Sequence, residues 1–66
     1  MTNLERNIAT FIMGNKKAYR QLNQHPMHIV LNAVVKTMEN NQGISIARAC
    51  EVAERNIKNY AHILAA

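Results

Sequence analysis

Residues 45–64 read SIARACEVAERNIKNYAHIL, and the way this stretch is parsed decides the fold. At about 100° per residue, Ile46, Ala49, Cys50, Ala53, Ile57, Tyr60, Ala61 and Leu64 fall within one arc. Arg48, Glu51, Glu54, Arg55, Lys58, Asn59 and His62 lie outside it. One unbroken amphipathic helix accounts for this pattern. Glu51 with Arg55 and Glu54 with Lys58 support it as i,i+4 pairs in the favourable order, each worth about 0.3–0.5 kcal/mol. The alternative opens a turn near Ala53 to Asn56, with Asn56 capping a second short helix.

Working backwards from this stretch, the polar clusters Asn40-Asn41-Gln42-Gly43 and Asn23-Gln24-His25-Pro26 divide the chain into three segments. The middle one, PMHIVLNAVVKTMENN, carries Met27, Val30, Leu31, Val34, Val35 and Met38 at core-facing helical offsets, with Pro26 in a first-turn position. Its β-branched Ile29, Val30, Val34 and Val35 lower the intrinsic propensity, so packing must hold the helix; a strand over Ala33 to Met38 is the minor alternative.

The first segment, TNLERNIATFIMGNKKAYRQLNQ, places Leu4, Ile8, Phe11, Ile12, Ala18, Tyr19 and Leu22 on one arc. Thr2 or Asn3 can cap its start. Glu5 favours the positive end of the helix dipole, and Lys16, Lys17 and Arg20 favour the other. Gly14 is the weak point where a bend is expected.

In offset terms, Ser45-Ile46, Ala49-Cys50, Asn56, Tyr60 and Leu64 resemble the helix-turn-helix DNA-binding pattern. That resemblance implies a reading helix from Asn56, with Asn56, Lys58, Asn59 and His62 turned outward and Ile57, Tyr60, Ile63 and Leu64 inward. Glu54 holds the turn position where that family usually has glycine, and Arg55 one that is usually apolar. Both differences weigh towards a continuous helix. The run GISIARACEVAE, residues 43–54, is also similar to the second helix of Alba-family nucleic-acid-binding proteins. Gly43, Ile46, Arg48, Ala49, Val52, Ala53 and Glu54 match. The resemblance implies contacts from a basic loop before this helix and a hairpin after it, and this sequence carries neither.

Sixty-six residues beginning with Met1 are expected to be a complete small protein with one domain, 1–66. A domain of this size buries only about 60% of its unfolded surface, so association with a second chain is a common remedy and a homodimer is expected. Cys50 is the only cysteine, which rules out an internal disulfide, and no Cys/His spacing builds a four-ligand zinc site. With no secretory signal pattern and no long apolar run, the expectation is a cytoplasmic protein without a membrane partner.

The net charge of +4 comes from eight Lys and Arg against four Glu, in a chain with nine Asn and no Asp. This balance suits a polyanion partner, DNA or RNA. Arg6, Lys16, Lys17 and Arg20 gather opposite Leu4, Ile8 and Phe11. Arg48, Arg55 and Lys58 extend that stripe only if the first and third segments turn their outer faces the same way. Read plainly, the same stripe is a solvated outer face.

His25, His28 and His62 lack the spacing and carboxylate support of a metal site, and Cys50 lies on the apolar arc as a small core residue. No Ser/His/Asp set, carboxylate pair or phosphate loop is present, so catalysis and cofactors are not expected. Met13 and Ile29 fall off their arcs as candidate partner contacts, whereas Met27 and Met38 read as packing.

The sequence therefore predicts an all-α fold: a small three-helix bundle, its third helix continuous or split into a helix-turn-helix. The function it predicts is non-enzymatic nucleic-acid binding, as in a transcriptional or nucleoid regulator, through Lys16, Lys17, Arg20, Arg48, Arg55, Lys58 and Asn59. A helical protein-interaction or oligomerisation module is the alternative.

Overall fold

In the computed structural model, the backbone of residues 2–65 and the side chains of residues 2–59 are described. Four helices follow one another: α1, Asn3–Gly14; α2, Lys16–Leu22; α3, Met27–Asn40; and α4, Ile46–Ala65. No strand occurs among the described residues, so Ala33 to Met38 is helical. The fold is all-α as expected, but the helix count is four, not three.

The extra helix comes from a break in the first segment, at the weak point beside Gly14. Asn15 adopts an extended conformation (φ −122°, ψ 111°) and closes one helix while opening the next. Its N–H donates to the Ile12 carbonyl, and its Oδ1 accepts from the Ala18 N–H at 3.0 Å. Such a cap satisfies a helix-start donor that would otherwise lack a partner. Upstream, Thr2 caps α1 in a reciprocal box: its Oγ1 accepts from the Glu5 N–H at 3.1 Å, while the Glu5 carboxylate accepts from the Thr2 N–H at 3.2 Å.

Of the two parses of the third segment, the continuous helix is the one found. Glu54, Arg55 and Asn56 lie inside one continuous α4. The Lys58 Nζ and Glu54 Oε1 sit 2.8 Å apart, bridging the place where a turn would have opened. Glu51, however, does not pair with Arg55. It accepts from Arg48 Nη1 at 2.9 Å, and Lys17 Nζ reaches it at 3.9 Å. Ser45 caps α4, its Oγ accepting from the Arg48 N–H at 3.1 Å. Before it, Gly43 turns the chain at φ +82°, a left-handed conformation that glycine takes without a Cβ penalty.

The core gathers Ile8 and Ile12 of α1, Ala18 and Leu22 of α2, Val30, Leu31 and Val34 of α3, and Ala49, Cys50 and Ala53 of α4. The small residues along α4 permit close helix approach, and α4 packs against all three other helices. Each large aliphatic side chain so buried contributes about 1.5–3 kcal/mol, so Ile12→Ala, at a position 1% exposed, would cost about 2–5 kcal/mol. Thr37 is a buried polar residue that the apolar pattern misses; its hydroxyl donates to the Ala33 carbonyl at 2.8 Å.

Three arc assignments need correcting: Leu4, Tyr19 and Met27 are exposed. The break at Asn15 reorients α2 relative to α1, so a single 100° wheel no longer describes residues on both sides of it. Met27 lies in the first turn of α3, immediately after the Pro26 cap. The faces that periodicity predicts for Tyr60, Ala61, His62, Ile63 and Leu64 lie outside the residues whose side chains are described.

Candidate nucleic-acid interface

Charge is distributed unevenly over the helices. In α1 one glutamate balances one arginine (Glu5, Arg6), and in α3 one glutamate balances one lysine (Lys36, Glu39). By contrast α2 carries Lys16, Lys17 and Arg20 with no acid, and α4 carries Arg48, Arg55 and Lys58 against Glu51 and Glu54. The whole net charge of +4 thus resides on α2 and α4.

These two helices pack together, and Lys17 of α2 meets Arg55 and Lys58 of α4 where they adjoin. Ala18 and Leu22 anchor α2 on the core, leaving Lys16 and Arg20 on its outer side and Lys17 and Gln21 on the flank facing α4. Between the helices lies an open hollow of about 310 Å³ lined by Lys17, Gln21, Glu51, Glu54, Arg55 and Lys58. The outer faces of the first and third segments therefore do join, through Lys17 on one side and Arg55 and Lys58 on the other.

Within this surface the cations are not equivalent. Arg48 and Lys58 are held by carboxylates of their own helix, and Lys17 stands 3.9 Å from Glu51. Lys16, Arg20 and Arg55 have no ion-pair partner among the described residues. The two pairs to Glu51 are exposed and worth only about 0–1 kcal/mol each, so a phosphate can displace that glutamate, whereas the Glu54 side chain is only 15% exposed. Asn59 is exposed one residue beyond Lys58 and adds a neutral amide. Gln21 was not singled out from sequence; its spacing from Lys17, i to i+4, is the signal that would have placed it here.

Burial pushes the Cys50 thiol above its ordinary range, and at 2% exposure it is a core side chain. Among the described residues no three His, Cys or Glu side chains come together as a metal set. His62, the third histidine considered for metal binding, has no described side chain. No described helix is long and apolar enough to cross a membrane.

A second surface lies on the other side of α4. There α3 and α4 border an open groove of about 560 Å³, with Ile29, Ala33, Val52 and Ile57 as its apolar lining and Asn32, Asn40, Asn41 and Asn56 among its polar lining. Lys36 is the only charged residue lining it among the described residues. No family model, no curated protein and no solved structure matches this chain.

Proposed function

We propose that this chain is a small, non-enzymatic nucleic-acid-binding protein that engages the phosphate backbone with the joined outer faces of α2 and α4. The observation that carries this reading is the segregation of the entire net charge onto two helices that pack side by side. A surface balanced everywhere would serve solubility alone; one that concentrates charge attracts a polyanion and releases its counterions. Lys16, Arg20 and Arg55 are the first contacts, being unpaired among the described residues. Lys17 and Arg48 join by exchanging Glu51 for a phosphate, Lys58 lends its charge beside Glu54, and Asn59 donates its amide at the edge.

The test is a binding titration with a labelled oligonucleotide at two salt concentrations. With about five phosphate contacts, the logarithm of the affinity falls with the logarithm of salt at a slope of roughly −3.5 to −4.5. Lys16→Glu with Arg20→Glu should flatten that slope. Binding that ignores both salt and these changes would overturn the reading.

The α3–α4 groove favours a second reading, a homodimerising module. Asparagine amides carry donors and acceptors together, so four of them can pair with copies of themselves across a two-fold axis without like-charge repulsion. Sedimentation of the wild type beside Ile29→Lys tests this reading. A dimer that Ile29→Lys dissociates supports it, and a wild-type monomer rules it out.

A further inference from the structure

Three of the five exposed large apolar side chains among the described residues meet at one place. Met13, at the end of α1, Tyr19 of α2 and Met27 of α3 are 64%, 43% and 40% exposed. They surround a hollow of about 220 Å³ whose inner lining is Ile12, Leu22 and Val30 and whose polar edge is Asn23 and His25. The helix break creates this hollow: on a straight continuation of α1, Tyr19 would share the buried arc of Ile8 and Ile12. The extended Asn15 turns α2, and the ring stands at the rim instead.

We propose that this hollow is a nucleobase pocket, in which one base of a single strand stacks on Tyr19 while the neighbouring phosphates lie on α2. The inference rests on the nucleic-acid reading and narrows it to unpaired strands. A base is flat and apolar on its faces and polar at its edge, and the lining has the same order. Tyr19 offers an aromatic face, Met13 and Met27 offer polarisable apolar walls, and Asn23 and His25 offer donors and acceptors at one side. The volume is room for several waters, and so for one base.

Helical spacing connects this pocket to the charged surface. Around α2, at about 100° per residue, the exposed side chains run from Tyr19 through Lys16 and Arg20 to Lys17, and so from the hollow to α4. A strand crossing α2 meets three cations in that order and presents a base at one end. No carboxylate lines the hollow. In a duplex the bases are stacked and paired, so their faces cannot enter.

The experiment measures anisotropy with labelled oligothymidylate and oligoadenylate, an abasic strand of equal length, and a blunt duplex, at one low salt concentration. The abasic strand has the same phosphates and no bases. At least one base-bearing strand is expected to bind about tenfold tighter than the abasic one. Tyr19→Leu should remove that margin and Tyr19→Phe should keep it, with circular dichroism confirming the helices. Met13→Gln, at an exposed position, is expected to narrow the margin without touching the core. Equal binding of base-bearing and abasic strands, or a margin that survives Tyr19→Leu, overturns the pocket and leaves the phosphate reading standing. Failure of all four probes to bind overturns both.

Discussion

The Asn15 Oδ1 accepts from the Ala18 N–H at 3.0 Å, and this cap separates α1 from α2. By turning α2 off the axis of α1, it sets where Tyr19 and the three α2 cations stand. Asn15→Ala removes the acceptor and should cost about 1 kcal/mol, lowering Tm by roughly 4–8 °C in a domain of this size. Asn15→Asp should retain most of the stability. Thermal melts of the two variants beside the wild type check both statements, and equal losses would mean that the cap contributes nothing.

Much of this fold is legible in the sequence because it rests on periodicity. Val30, Leu31 and Val34 of α3 and Ala49, Cys50 and Ala53 of α4 are buried where their spacing puts them. The polar clusters around Asn23 and Asn41 do mark the helix ends. What the pattern could not supply is the angle between α1 and α2. Gly14 signals a weak point but not its consequence, which depends on Asn15 leaving the helical region, and so periodicity alone places Tyr19 in the core. The charged surface was legible residue by residue but not as an assembly. That Lys17 reaches Glu51 of α4 is a tertiary fact, and Glu51 pairs with Arg48 at i,i+3 where the i,i+4 spacing suggests Arg55.

The two glycines should respond oppositely to alanine. Neither has any atom within 4 Å of an added Cβ, so the backbone alone decides the sign. At Gly43, with φ +82°, alanine is strained by about 1–2 kcal/mol, and asparagine should be milder. At Gly14, in the last turn of α1, alanine gains up to about 1 kcal/mol of helix propensity. Urea titrations resolve differences of this size. A stabilised Gly43→Ala would show that the α3–α4 connection does not need its left-handed turn.

Stability should fall in acid partly through the α1 cap. Hydrogen bonds from the Thr2 N–H and hydroxyl hold the Glu5 carboxyl below its ordinary value. Because the folded value is the lower one, the contribution is present above the unfolded carboxylate range and is lost as pH falls through the folded value. Glu5→Gln should therefore differ from wild type at neutral pH and converge on it in acid, as seen in melts across that range. A constant difference would show that the charge on Glu5 plays no part in the cap.

The glutamates in the middle of the cationic surface give the sharpest internal test of the proposed interface. Glu51 and Glu54 neutralise Arg48 and Lys58 in the free chain, and Lys17 approaches Glu51 as well. A phosphate must compete with them for the same donors. Removing Glu51 as Glu51→Gln gives up two exposed pairs, each worth at most about 1 kcal/mol, so the fold should survive. Meanwhile two donors are freed and one repulsion is removed. Affinity for an oligonucleotide should then rise by about two- to fivefold at low salt and converge towards wild type at high salt, where screening erases the difference. Anisotropy titrations at the two salt concentrations measure this directly. If Glu51→Gln instead weakens binding while the helices remain intact, Glu51 positions Lys17 and Arg48 for the ligand. The pairs seen in the free chain would then be part of the binding surface and not its competitors.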